Sequence, residues 1–338
     1  MKKLLAGVLV VLFVLGFTAC GNQKDKPFQV DIFWGTFSDE YLKTVRSSVG
    51  SKLNGFVNLE YTMHDCRNDQ SLQNDYIAQV MSRGTDLFIV NVVSPDDANI
   101  PKFVDKASEK DIPVIFFGRE VSDEIILSYD KCVYIGTDPN GQEDLLGEHV
   151  FEVISKNFDE YDLNGDDSLQ YVIFKDGLAD MDTVVKQANK QFEEDEMGTL
   201  VAIEKDQVCD GTAEDAKSKM AAIIDQFPMG ASGSVEVVIC SNVEIAEGVI
   251  EALNDVEWNE GDSKSTVAVF SIGGGETART LIYAYKMSGT IQEDSGATAA
   301  AIVSFIRASK DGTSWYGVLE TFDDVENNKI LIPYSKFG

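Results

Sequence analysis

From Phe28 onward, short apolar runs rich in Val, Ile and Phe alternate with longer amphipathic stretches, and this alternation leaves the chain few folds to adopt. A run that is apolar at every position suits a strand buried on both faces, and the stretches between carry helical spacing. Strands covered on both sides need helices to cover them, so the pattern predicts an α/β arrangement of parallel sheets. Strands are expected at residues 29–33, 57–62, 86–92, 114–117 and 132–135, with helices at 40–53, 71–83 and 100–110. A second series follows Gly136, Thr137 and Asp138, with strands at 169–174, 200–205, 235–240 and 267–272 and helices at 143–156, 182–193, 213–226 and 244–254. The two series share order and length, so the chain reads as a duplicated α/β unit, and 338 residues are enough for two lobes.

An apolar helix at 295–309 and a short strand at 330–333 remain. A chain that returns to the first lobe and crosses back near Pro333 makes three crossing segments, which form a hinge. The expected division is 28–137 with 295–332 as the first lobe, and 138–294 with 333–338 as the second. The expected fold is therefore two doubly wound parallel-sheet lobes on a three-segment hinge. Ligands of open α/β sheets bind beyond the carboxyl ends of the strands, which places the site in the cleft between the lobes.

Residues 1–20 read as an export leader: Lys2 and Lys3, then an uncharged run from Leu4 to Phe17, then Thr18, Ala19 and Cys20. The run is short for a membrane span, and polar residues follow at once. Cleavage before Cys20 frees its thiol for a lipid anchor, with residues 21–27 as tether, although Phe17 stands where bacterial lipoprotein signals usually carry an aliphatic residue. The expected location is outside the cytoplasmic membrane, held to it by lipid alone. Of the other cysteines, Cys132 and Cys240 lie in strand-like runs and are expected in the core; the even count of Cys66, Cys132, Cys209 and Cys240 permits a disulfide, and the sequence selects no pairing. With 28 Lys and Arg against 57 Asp and Glu, a formal charge of −29, the chain does not neutralise nucleic-acid phosphates.

Residues 65–75 (Asp-Cys-Arg-Asn-Asp-Gln-Ser-Leu-Gln-Asn-Asp), together with 89–95, 112–117, 128–131, 134–138, 162–170 and 236–242 in the same order, resemble the galactose/glucose-binding proteins of periplasmic sugar transport, the type I periplasmic sugar-binding proteins. The resemblance runs from about Val30 to Tyr334. It implies a non-catalytic two-lobed protein that captures a glucose- or galactose-like sugar and delivers it to the permease of an ABC transporter, and in some members to a chemoreceptor. A ligand sensor for a membrane receptor or kinase, or a binder of another neutral solute such as a nucleoside, is the alternative.

By this resemblance the first lobe supplies Asp39, Tyr41 as a stacking ring and Asn91. The second supplies Asp182 and Asn242, with Asp180 in place of a histidine, Lys186 in place of an arginine, Gly273 in place of an aspartate and Glu293 in place of an asparagine. No aromatic stands at 208–211, where the family has its second stacking ring. Lys186 is then the one cation of the cleft, and a neutral or cationic, hydroxyl-rich ligand is expected.

Asp162, Asn164, Asp166, Ser168 and Gln170 place oxygens at alternate positions, the spacing by which a tight loop surrounds a hard cation. The twelfth position is Ile173, and the resemblance supplies Glu236 from a distant strand to complete a structural Ca2+ site, although Asp167 stands where the family has Gly. The Gly273-Gly274-Gly275 turn lacks a P-loop lysine, and His64 and His149 show no metal spacing. Nothing groups as a catalytic triad, so no enzyme is expected.

Overall fold

The computed structural model describes residues 26–177, 180–231, 233–261, 265–323 and 325–338; the leader, Cys20 and most of the tether lie outside them. The first lobe runs β1 (Phe28–Trp34), α1 (Glu40–Leu53), β2 (Leu59–Asp65), α2 (Gln70–Arg83), β3 (Leu87–Val90), α3 (Ile100–Glu109), β4 (Val114–Phe117), α4 (Asp123–Leu127) and β5 (Cys132–Thr137). The second runs α5 (Gln142–Ile154), α6 (Phe158–Tyr161), β6 (Ser168–Asp176), α7 (Asp182–Glu194), β7 (Thr199–Ala202), β8 (Gln207–Cys209), α8 (Ala213–Gln226), β9 (Val237–Cys240), α9 (Val243–Asn254), β10 (Ala268–Ile272), α10 (Glu276–Tyr283) and β11 (Gly289–Glu293). The chain ends with α11 (Ser295–Asp311), α12 (Trp315–Leu319), β12 (Val325–Glu326), β13 (Lys329–Ile332) and β14 (Tyr334–Phe337).

The strands form two sheets in the orders β12-β13-β5-β4-β3-β1-β2 and β14-β11-β10-β9-β6-β7, with β8 also on β6. Pairing is parallel except at one end of each sheet, where β12 and β14 run antiparallel to their neighbours. Every residue of β3, β4 and β9 is buried, as strands covered on both faces require. Each sheet accordingly has an apolar cluster on either side: Trp34 and Phe305 belong to one in the first lobe and Phe88 and Phe116 to the other, while in the second lobe Phe174 and Phe192 lie on opposite faces.

The chain passes between sheets after Thr137, after Glu293 and at Pro333, because β13 pairs with β5 while β14 pairs with β11. In each sheet the order reverses beside the first strand: β2 lies on one side of β1 and β3 on the other, and β7 and β9 flank β6 likewise. Both reversals leave a crevice at the carboxyl ends of the strands, where ligands of such sheets bind. The four cysteines from Cys66 to Cys240 are all buried and unpaired. Among the described residues no helix is long and apolar enough to cross a membrane.

On the outer flank of the first lobe, Asp31 is 2% exposed and ties β1 to β2 and α2. Its Oδ1 lies 2.7 Å from His64 Nε2 and also pairs with Arg83, and the His64 ring stacks on Phe33 at 4.6 Å. Burial, the largest influence, pushes the Asp31 carboxyl up; hydrogen bonds from His64 and Thr85 and the Arg83 charge outweigh it and hold the group below its ordinary value. A carboxyl depressed on folding adds stability above its unfolded pKa of about 3.9, and that stability is lost as pH falls through the folded value. Asp31→Asn is expected to cost about 1 to 3 kcal/mol at pH 7 in urea unfolding, toward the lower end because Arg83 is half in water. The difference from the parent protein should shrink below pH ~4, and a difference constant down to pH ~2 would exclude this role.

Candidate functional site

The first-lobe crevice is built by the turns that follow β1 and β3. Asp39 caps α1, accepting the Leu42 amide at 2.8 Å, and stays exposed at the cleft side of the helix. Tyr41, two residues on, packs its ring against the core while its hydroxyl meets Thr298 of α11 at 2.9 Å. Burial, with the nearby Glu293 charge adding to it, pushes that hydroxyl up to about 12, so Tyr41 is a neutral, fixed aromatic wall.

Asn91 is placed differently from the expectation of a ligand-binding amide. It is 2% exposed, and its side chain spans the strand-order reversal: Oδ1 accepts Gly35 N at 3.1 Å and Nδ2 donates to Phe117 O at 2.9 Å. A Cβ at Gly35 would sit 2.7 Å from Oδ1, so the turn needs glycine for the amide to reach it. Gln73, also fully buried, holds Asn91 O at 2.9 Å from α2. Asn91 thus shapes the crevice from beneath.

In the second lobe the same reversal is bridged by Ser241, whose Oγ accepts the Asp176 amide at 3.0 Å. Asn242 caps α9 through the Ile245 amide at 2.9 Å. Asp180 and Asp182 are exposed at the start of α7, where the Asp182 amide donates to Asp180 Oδ1 at 3.3 Å. Gly273 and Gly275 take φ values of +112° and +100° as the chain turns from β10 into α10. Both fall in the left-handed region, which glycine enters without the cost that a side chain brings. Glu293 ends β11 at the hinge and accepts Thr137 Oγ1 from the first crossing at 2.8 Å. Burial first, then the Asp39 charge, raise its carboxyl, while the Thr137 bond opposes them.

A cleft of about 740 Å3 lies between the lobes, lined by Tyr41 and Lys43 of α1, by Gly273 and Arg279 at the start of α10, and by Glu293 and Tyr334 at the hinge. Of the expected residues, this cleft brings together Tyr41, Gly273 and Glu293; Asp39, Asn91, Asp180, Asp182 and Asn242 are set around the strand ends and are not among its lining. Lys186 is a correction. It lines a separate hollow of about 1000 Å3 with Phe158, Asp167 and Thr199, because α7 runs away from the cleft and carries it toward the amino ends of the strands. That hollow is the larger of the two, but it lies at the wrong end of the sheet for a ligand site. The cations that do line the cleft are Lys43 and Arg279, one turn inside helices that begin there. The available signal was helix direction: a residue four positions past a cleft-side cap stays near the cleft if its side of the helix faces inward.

The acidic loop before β6 closes on itself. Asp162 accepts the Gly165, Asp166 and Asp167 amides at 2.8, 3.2 and 2.9 Å, and Asp167 takes φ +60°, which a glycine would adopt more easily. Glu236, wholly buried, reaches the loop from the strand side and accepts Leu163 N at 2.7 Å and Gln170 N at 2.8 Å. Burial pushes its carboxyl up, amides of Gln170, Leu163 and Asn164 draw it down, and the Asp162 charge raises it again. Asp166 accepts Ser168 N at 2.9 Å, and Asn164 Nδ2 donates to Gln170 Oε1 at 2.6 Å. Asn164 Oδ1 is buried with no hydrogen-bond partner. Among the described residues no three His, Cys, Asp or Glu side chains gather closely enough to hold a metal by themselves, so any cation here would depend on the amide and carbonyl oxygens as well.

Residues 30–314 match the family model described as a periplasmic binding protein domain. The D-galactose/methyl-galactoside binding periplasmic protein of Haemophilus influenzae is 24% identical over 343 residues, covering 98% of this chain and 96% of that protein. Among solved structures, an ABC transporter periplasmic solute binding protein from Actinobacillus succinogenes with bound D-allose matches with a TM-score of 0.55 at 16% identity, over 92% of this chain and 97% of that one. A periplasmic ribose ABC transporter protein from Conexibacter woesei matches with a TM-score of 0.55 at 15% identity, over 92% and 91% of the two chains. These structural likenesses are of fold.

The geometry around Asn91 makes its own prediction. Asn91→Ala removes both bonds of a buried side chain and leaves Gly35 N and Phe117 O without them, which should cost about 1 to 3 kcal/mol in urea unfolding. Unchanged stability with weakened ligand binding would show that Asn91 meets ligand directly.

Proposed function

This chain belongs to the periplasmic binding protein domain family, and from that premise we propose that it captures a sugar between its lobes and presents it to an ABC transporter permease. The observation that carries the reading is the cleft beside the three crossings, with a fixed aromatic wall at Tyr41 and a carboxylate at Glu293, and with Asp39 and Asp182 at the helix starts that follow the first strand of each lobe. Carboxylates and amides hold adjacent hydroxyls as charge-assisted acceptors and donors, and an aromatic ring covers the apolar side of a sugar. Glu40, Glu276 and Glu293 outnumber Lys43 and Arg279 along the cleft by one, which disfavours an anionic solute. D-Galactose or D-glucose is the first expectation, a nucleoside the second. Export by the leader and anchoring through Cys20 belong to the same reading, and delivery to the permease is the role that such an anchored protein would serve.

Calorimetry of the mature protein with D-galactose, D-glucose and adenosine tests this directly. Binding of a hexose is expected, with Asp39→Ala weakening it about tenfold, the loss of about 1.4 kcal/mol. No heat with any of the three, or recovery of a sugar phosphate as the co-purifying ligand, would exclude the reading.

We further propose that the loop at Asp162 holds Ca2+ as a structural ion. Asp162, Asn164, Asp166, Gln170 and Glu236 would supply side-chain oxygens and Ser168 its carbonyl, and the buried, unpartnered Asn164 Oδ1 supports the fit. The ion would offset the repulsion between Asp162 and Glu236. Calcium at a hundredfold above its Kd would add about 2.7 kcal/mol, so chelation should lower the second lobe's Tm by about 5 to 10 °C. Glu236→Gln should abolish most of that difference, whereas an identical melt with and without chelator in protein shown metal-free would exclude the ion.

A further inference from the structure

The cleft extends sideways beyond the hinge, between the facing sides of α1 and α10. Thr44 and Ser47 line one side of this chamber, and Arg279, Thr280 and Tyr283 the other. Its entrance passes the turn at Gly273, Gly274 and Gly275, where no side chain stands in the way; a Cβ on Gly274 would meet Gln292 Oε1 at 2.6 Å. Seven helical steps separate Glu276 from Tyr283, about 10 Å along the axis. Both residues sit on the second lobe, so lobe closure does not alter this length. It exceeds the reach of one sugar ring, and 740 Å3 falls in the upper part of the roughly 300–1,000 Å3 range of pockets that enclose larger ligands.

Tyr283 at the far end is 72% exposed, and an exposed tyrosine alone means little. This one lines the cleft and is braced. Phe337 meets its ring edge-on at 5.8 Å, His149 Nε2 holds Phe337 O at 3.2 Å, and the Arg279 guanidinium lies 5.8 Å from the same Phe337 ring. The brace fixes the tyrosine while leaving ring surface bare. Beside it, Arg279 lines the same chamber, and its guanidinium N–H groups are donors for a ligand oxygen there.

We propose that the ligand is a two-ring glycoside, its sugar held between the strand-order reversals and its second ring lodged in the chamber against Tyr283. This rests on the reading of the cleft as a sugar site. The second ring can be another sugar, an aryl group or a nucleobase: each offers a face to tyrosine, and Arg279 can donate to a sugar hydroxyl or a nucleobase acceptor or lie over the π face of an aryl ring.

Calorimetry on the full mature chain would compare D-galactose and D-glucose with lactose, cellobiose, the two phenyl β-glycosides and adenosine. At least one two-ring probe should bind about tenfold tighter than its matched hexose. Tyr283→Ala should remove that advantage while leaving hexose affinity within about twofold, and Thr44→Trp, which fills the chamber from the α1 side, should do the same. The pattern of winning probes identifies the second ring. If hexoses bind and no two-ring probe exceeds them, or if Tyr283→Ala weakens both classes equally, the chamber is not a subsite and the sugar reading stands. If nothing in the panel binds, the sugar reading fails and the chamber falls with it.

Discussion

The backbone passes between the two sheets three times, and those passages hold one another. Asp138 N donates to Ile332 O at 2.8 Å, linking the first crossing to the third, and Thr137 Oγ1 donates to Glu293 at 2.8 Å, linking the first to the second. Glu293 lies opposite Tyr334 in the antiparallel pair of β11 and β14, linking the second to the third. A carboxylate is costly to bury, so its place in this junction needs the hydroxyl partner that Thr137 provides. Glu293 is therefore both a wall of the cleft and a tie of the hinge, and whatever a ligand does to its hydrogen bonding is felt by the segments that set the angle between lobes.

The same economy appears at the two strand-order reversals. Each must splay two adjacent turns apart to make a crevice without leaving buried amides unmet. In the first lobe one amide side chain, Asn91, bonds to Gly35 after β1 and to Phe117 of β4; in the second a hydroxyl, Ser241, bonds across to the end of β6. The groups at the strand ends beside these ties include helix caps such as Asp39 and Asn242. A cap is held by the backbone it serves, so the walls of the cleft are ordered before any ligand arrives.

How much of this was legible in the sequence depends on what each element is held by. Strands buried on both faces announce themselves, so 114–117 was read to the residue and 267–272 to within one. The segments Gln207–Cys209, Gly289–Glu293 and Tyr334–Phe337 carried too few apolar residues to be read as strands; they are extended because neighbours already in place offer them hydrogen bonds. The duplicated lobes and a cleft at the carboxyl ends of the strands followed from periodicity and order alone, whereas the strand order did not. Of the expected site residues, Gly273 lines the cleft on a turn, whereas the helix that carries Lys186 sets it in the other hollow. The buried role of Asn91 depends on contacts with Gly35 and Phe117, far along the chain in either direction, and no local pattern records such contacts.

The final strands have a consequence for the order in which the molecule can be made. The first sheet lacks β13 and β12 at one end, and α11 on one face, until the chain has been extended past residue 332; the second lacks β14 until residue 337. Protein synthesis delivers the amino end first, and a domain folds as a unit once its parts are present. Neither lobe of this chain has all its parts until the segment past residue 332 has been made. Up to that moment the polypeptide keeps open sheet edges and uncovered apolar faces, a state that a translocation channel can thread and a completed fold cannot.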